Sequence, residues 1–328
     1  FKYHRNGRVS IKGKYNYGKK VGKWTWQDDL GIIDSIYSYD RGLLNGSSKI
    51  FNDGELVIRQ KYFNGKLNGK FTEYVPGGGI KVNGTYLDDI PHDKWTWRLE
   101  NKSKSRLISY NKGIKSGDFK VWSNGELTLS GVFDNDFQSG EWKWFRSDKK
   151  LDSLITFTKG RYNGLYQVWH QNGEQAIIGK YLNDYPEGKW EWWSEDAILD
   201  SVKTFSSGSL NGSFMIYHNN GVLARSANFR LDELDGLESI YYISGQLKEK
   251  TTYNSGEKMG SYEIWARNGN IEEIGSYLSD QLHGQIKRWY SNGSPASLFT
   301  YKENIFELSI DKKISEYLLQ KNISVVIR

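Results

Sequence analysis

The sequence predicts an all-β fold. It is expected to be an elongated single-sheet solenoid, a meander of about twelve β-hairpins of 23–24 residues each, with a small α/β cap at the C-terminus. Three observations predict it. Glycines recur at a fixed period with an aromatic at a fixed offset. Apolar residues alternate with polar ones between those glycines. The apolar inventory is built from rings: 13 Trp, 22 Tyr and 14 Phe in 328 residues, with two Met and no Cys. Hydrophobic residues make up 37% of the chain, below the usual globular share, so rings on a sheet replace a conventional Leu/Val/Ile core.

The period is read from glycines that open a Gly-x-aromatic phrase. These anchors are Gly22, Gly46, Gly69, Gly117, Gly140, Gly164, Gly188, Gly212, Gly236, Gly260 and Gly284, with Asp93 standing where the fourth is expected. Neighbouring anchors are 23 or 24 residues apart throughout. Seven residues before each anchor stands a Tyr or Phe, from Tyr15 and Tyr39 to Tyr253 and Tyr277, and Tyr301 continues the column.

Each repeat reads as two strands. The first is expected to begin at the anchor, with apolar residues two and four positions on, as at Trp24/Trp26, Trp95/Trp97, Trp142/Trp144 and Trp190/Trp192. Alternation places such pairs on one face. A turn follows, often Asn-Gly (Asn124-Gly125, Asn172-Gly173, Asn268-Gly269), which is a strong hairpin signal. The second strand ends at the aromatic column. In "IIGKY", residues 177–181, Gly179 shares a face with Tyr181, and a small residue there leaves room for a ring of the next repeat. Repeats with Asn-Gly alternate with repeats carrying W-x-W and then Asp-Ser, until the Asn-Gly kind takes over after Gly212.

The runs "NGELTLSGVFDNDFQSGEWKWF" (124–145), "NGEQAIIGKYLNDYPEGKWEWW" (172–193) and "NGNIEEIGSYLSDQLHGQIKRWY" (268–290) resemble the bacterial variant of the MORN repeat, the YwqK-like kind. The resemblance covers residues 1–301 and is specific as a repeat class. It implies a hairpin meander in which each hairpin buries its rings against its neighbours. At about 9–10 Å per hairpin, twelve would extend roughly 110 Å before twist. Residues 302–328 are expected to form the cap. Asp311 would open a short helix carrying Ile314, Tyr317 and Leu318, and "ISVVIR" would form a strand.

Little in the sequence points to chemistry. The five histidines (His4, His92, His170, His218 and His283) fall in or beside turns, and their spacing suits no metal. "VPGGGI" (75–80) reads as a hairpin turn and not a phosphate loop. The Asp-Ser pairs recur with the period, as turn chemistry would. With no Cys there is neither a disulfide nor a thiolate site. No catalytic, cofactor-binding or metal-binding constellation is found, and the chain is expected not to be an enzyme. Net charge is +6, with both signs interspersed. Lys12, Lys14, Lys19, Lys20 and Lys23 form a basic group without the arginine clustering of a nucleic-acid footprint. No run is long and apolar enough to span a bilayer. The chain opens on Phe1, which reads as a processed start, and the ring-rich, Cys-free composition leans towards an exported protein at a bacterial periplasm or surface.

A further set of rings stands five positions after the anchor, and either the sheet rolls so that they pack between repeats or they line one face as an exposed row. Their parity is opposite to that of the packing rings. Trp122, Trp169, Trp193, Tyr217, Trp265 and Trp289 are the candidate partner-binding residues. They suit a non-enzymatic protein–protein interaction scaffold, part of an envelope or outer-membrane complex. The alternative is a glycan or cell-wall binding module that uses the same rings as an exposed periodic row.

Overall fold

The computed structural model describes residues 1–99 and 103–307. The chain divides into two compact units, Phe1–Asn163 and Gly164–Arg328, each considered by itself. All regular structure in the described residues is β-strand. In the first unit antiparallel strands run from Lys2–Tyr3 to Leu151–Thr158, and each pairs with its neighbours in sequence. In the second the same pattern runs from Arg161–Trp169 to Ile305–Glu307. Both are open hairpin meanders, as the sequence predicts.

Gly46, Gly69, Gly236 and Gly284 start their strands as expected, but the other eight anchors lie inside theirs. Strand Tyr185–Trp193 begins three residues before its anchor Gly188, and the anchor lies within it. Pairing shows why. Ile178 is opposite Glu191 and Lys180 is opposite Glu187, so Gly179 alone faces Gly188, Lys189 and Trp190. The same two extra residues recur at Lys12–Lys14, Asn83–Thr85 and Ser130–Val132. A bulge needs a residue that turns the backbone out of the pleat, and the left-handed region does so. All twelve anchors have positive φ, from 57° at Asp93 to 117° at Gly164. Asp93 is the informative case: an Asp tolerates this region better than most residues with a side chain, which explains why it can replace glycine there. Because the insertion is even-numbered, residues before and after it keep the same faces.

The bulge makes room for tryptophan. Trp24, Trp95, Trp142 and Trp190 stand two positions after their anchors and are only 2–6% exposed. Each lies flat over a glycine of the preceding strand. A Cβ on Gly13, Gly84, Gly131 or Gly179 would sit 2.1–2.3 Å from the respective indole. Each indole N–H then donates to a backbone carbonyl beside the bulge: Lys14, Thr85, Val132 and Lys180, at 3.1–3.2 Å. The polar edge of a buried Trp is thus satisfied without a side-chain partner. Column aromatics pack edge-on against these rings. Phe133 meets Trp142 at 5.1 Å between centroids, and Tyr181 meets Trp190 at 5.0 Å. Stacking continues through Phe119 and Trp144 in the first unit, and through Tyr166 and Trp192 in the second.

The two hairpin edges are stitched differently. On one, two-residue turns with both φ positive (type I′) close the strands, for example Asn183-Asp184 at 51° and 72° and Lys112-Gly113 at 48° and 83°. The second turn residue donates its N–H to a carbonyl of the preceding hairpin, as in Gly113 to Pro91 at 2.7 Å and Gly256 to Leu234 at 2.8 Å. Where that residue is Asp, its carboxylate accepts an N–H in return, as from Leu67 to Asp89 and from Leu210 to Asp232, both at 2.7 Å. On the other edge most turns are longer. Residue four of the loop is left-handed, as Gly173, Gly221 and Gly269 are, and Ala197 and Lys149 take that conformation without glycine. "VPGGGI" is one of these loops.

The Asp-Ser pairs lie in strands and not in turns, which corrects the sequence expectation. Trp192 is opposite Ser201 and Trp193 is opposite Leu199, so Asp200 is the extra residue of a second, one-residue bulge. Asp34 and Asp152 occupy the same position. At the C-terminus a Glu303-Asn304 turn returns the chain into Ile305–Glu307, paired with residues 300–302. The expected cap helix around Ile314, Tyr317 and Leu318, and the strand "ISVVIR", lie outside the described residues.

Gly179 has an ordinary φ, so its constraint is space alone. Gly179→Ala should destabilise the second unit by about 1–3 kcal/mol through overlap with Trp190, read as a lower urea midpoint. Pairing Gly179→Ala with Trp190→Leu should recover part of that loss. An unchanged midpoint for the single variant would refute the ring-over-glycine account.

Candidate functional site

The six rings expected to meet a partner share one structural position. Each pairs across the one-residue bulge: Trp122 with Leu127, Trp169 with Gln175, Trp193 with Leu199, Tyr217 with Leu223, Trp265 with Ile271 and Trp289 with Pro295. All but Trp122 end their strands before a longer turn, whereas Ser123 follows Trp122 and a two-residue Asn124-Gly125 turn closes that hairpin. The structure places them along the longer-turn edge. Trp122 belongs to the first unit. The other five follow one another along the same edge of the second, with Tyr241 completing the series. All six are half-buried and none is fully exposed. Lysines cover two of them: Lys104 lies 5.6 Å from the centre of a Trp122 ring, and Lys250 lies 5.6 Å from Trp265.

The turns beside these rings hold the row in register. His170 donates from Nε2 to the Trp193 carbonyl at 2.7 Å, and His218 to the Tyr241 carbonyl at 3.0 Å. Tyr242 does the same for Trp265 through its hydroxyl at 2.9 Å. Asn172, Asn220 and Asn268 each reach a carbonyl of the next turn at 2.6–3.1 Å. In the first unit His4 bonds the Gln27 carbonyl and Asn6 the Asp29 carbonyl. These histidines are hairpin-to-hairpin staples. Among the described residues no group of three or more His, Asp or Glu is placed to hold a metal.

Trp193 is distinctive. Its indole N–H is buried and has no acceptor. Such a donor costs about 1–3 kcal/mol, so this ring is not optimised for packing alone. The sequence singles out Trp193 by parity, but its unmatched N–H becomes visible only in three dimensions.

Sequence reasoning missed two polar networks on the ring-packing face. Glu238 occupies the position two after anchor Gly236, where four other repeats have Trp. It is almost wholly buried, accepts from Arg225 Nε at 2.5 Å, and takes the Tyr253 hydroxyl as a second donor. Burial first, and then the negative Glu238, push the Tyr253 phenol up to about 12. Farther along, Glu273 bridges Tyr262 at 2.5 Å and Arg288 at 2.7 Å, and burial with that carboxylate raises the Tyr262 phenol strongly. The sequence signal was the loss of Trp at the positions two and four after the anchor from Gly212 onward, which marks a change from ring stacking to ionic packing. The basic group near the N-terminus also divides. Lys20 lies over Trp24, Trp26 and Tyr39 at 4.6–5.4 Å, while Lys12 lies over Phe1.

Two outcomes check this description. Trp193→Phe removes the unmatched N–H and keeps a ring, so it should leave the urea midpoint unchanged or raise it, whereas Trp193→Ala should cost about 3–5 kcal/mol. For Tyr253, a phenol held above its ordinary value of 10.0 favours the folded state fully below pH 10, and this contribution is lost as pH rises towards about 12. Stability should therefore fall across that window, and Tyr253→Phe should make the fall shallower without abolishing it, because Tyr262 and Tyr277 are raised too.

Comparison with known proteins adds a family likeness for two segments. Residues 234–255 and 282–303 match the MORN repeat variant. Each match spans one hairpin, from just after one type I′ turn into the first residue of the next, and the two starts lie 48 residues apart. No curated protein matches the chain. Solved structures similar to it include the TcdB2-TccC3-Cdc42 complex (11% identity, 89% of this chain, 18% of that chain, TM-score 0.18). Another is ASR alternansucrase in complex with isomaltononaose (11% identity, 91% of this chain, 23% of that chain, TM-score 0.19). The chain spans about a fifth of the length of these proteins, and at such scores they carry no conclusion about fold or ligand. What the sequence and the comparison agree on is that two of the chain's hairpins, at 234–255 and 282–303, are similar to MORN repeat variants.

Proposed function

We propose that this protein is a non-enzymatic repeat scaffold that binds a protein partner through the longer-turn edge, within a bacterial envelope assembly. The supporting observation is the series Trp169, Trp193, Tyr217, Trp265 and Trp289, held in register along one edge by the His, Asn and Tyr staples. Half-buried aromatics with fixed backbones lose little conformational freedom on docking, which is why Trp and Tyr dominate binding hot spots. The MORN-like hairpins at 234–255 and 282–303 belong to that same edge series. Half-burial weighs against flat stacking of sugar rings, which needs an open aromatic face.

The test is affinity capture from membrane and soluble fractions of expressing cells, with mass spectrometry. A stoichiometric protein should come down with the native chain. It should weaken by about thirtyfold or more when Trp169, Trp193 and Trp265 are changed to Ala in a variant whose circular dichroism shows it folded. Capture of cell-wall polysaccharide without a protein would replace this reading with the glycan one.

A further inference from the structure

A second surface lies in the first unit, on the sheet face opposite the rings. Gln60 donates to the Tyr62 hydroxyl at 2.9 Å, which puts Gln60 and Tyr62 on the ring face and Arg59 and Lys61 on the other. Ser48 is buried on the ring face, so Lys49 points with Arg59. Phe71 stacks on Trp95, so Lys70 and Thr72 share that opposite face as well. Around the bulge at Gly69, Ser47, Arg59, Lys61, Lys70, Thr72 and Tyr74 line a groove of about 440 Å³, and Lys49 stands beside it.

The charge in this groove is one-sided. Lys49 stands directly opposite Arg59 across the ladder, and like charges so placed oppose pairing. Among the described residues none of Lys49, Arg59, Lys61 and Lys70 has a carboxylate within ion-pair distance. The nearby acids are engaged elsewhere: Glu73 binds Lys81 at 2.6 Å, and Glu55 accepts from the Gly77 N–H at 3.2 Å. Four cations without counter-charge do nothing for folding. They do create a local field that attracts an anionic partner.

We infer that this groove docks a carboxylate-rich peptide segment of a partner protein. Its size takes a few side chains rather than a single ion. Its cations lie on adjacent strands, so they reach successive acidic side chains of an extended segment, and its hydroxyls at Ser47, Thr72 and Tyr74 suit peptide groups. Phosphate-selective sites commonly use helix N-termini, and this groove is built from strands alone. Base stacking needs open ring faces, and the only ring on the groove, Tyr74, is half-buried. The inference stands on these observations whether or not the aromatic row binds anything.

The experiment is fluorescence anisotropy on the full chain with a labelled ten-residue poly-Glu peptide, beside inorganic polyphosphate and a single-stranded oligonucleotide. The peptide should bind and be released by salt. Arg59→Glu with Lys61→Glu should weaken it at least about tenfold. Lys248→Glu with Lys302→Glu, an equal change in net charge in the second unit, should change it less than about twofold. If the reversal variant loses its β-sheet circular dichroism, Arg59→Gln with Lys61→Gln takes its place with a smaller loss expected. Three results would overturn the inference: no peptide binding at low salt, equal losses in both double variants, or groove-dependent binding of polyphosphate or oligonucleotide without the peptide.

Discussion

The structure depends on one steric constraint: an indole ring must lie between strands of a single sheet without a second layer to cover it. A regular ladder leaves no room for this. The chain solves the problem by inserting two residues opposite one glycine, so the ring drops onto a strand with no Cβ beneath it. Trp190 over Gly179 shows the whole device, with a bulge at Gly188, contact with the glycine backbone and a hydrogen bond to the Lys180 carbonyl. The N–H needs no side-chain partner, so the motif repeats wherever a glycine and a Trp occur at the right separation.

That constraint explains several other features. The anchors take positive φ because the bulge requires it, and Asp93 shows that the requirement is conformational and not specific to glycine. The even insertion preserves facing, so rings stay on one face and the opposite face is free to carry charge. A meander has few contacts between distant parts of the sequence, so its edges must be fixed locally. Backbone N–H groups and Asp carboxylates fix one edge, and His, Asn and Tyr side chains fix the other. Where Trp gives way to Glu238, the same position is filled by an ionic network, and burial of that carboxylate is made tolerable by Arg225 and Tyr253.

The proposed function is a matter of surfaces. His4, His92, His170, His218 and the Asp-Ser pairs, residue types that suggest chemistry, are occupied in holding turns and forming bulges. The surfaces proposed to act are an edge row of half-buried rings in the second unit and a groove of cations in the first. The two surfaces differ in character. The rings would supply buried apolar contact, whereas the cations would supply attraction and orientation at long range.

The sequence by itself determined the architecture. A period of 23–24 residues, the aromatic column and the alternation of Trp24/Trp26 with polar neighbours specify a hairpin meander, because side-chain facing on a strand follows parity and turns follow Asn-Gly and Asp. It also identified Gly179 as the seat of a ring, since a small residue beside a large one is legible in one dimension. It placed the candidate rings at one periodic position. It did not show that eight of the twelve anchors lie inside strands, because a bulge is a mismatch between two strands and neither strand shows it alone. For the same reason Asp200 looked like a turn residue, and Trp193 gave no sign of its unmatched N–H. The groove of Arg59, Lys61 and Lys70, with Lys49 beside it, was hidden among interspersed charges. Only register brings cations from three strands to one side while their acidic neighbours pair elsewhere, and register is decided by tertiary structure.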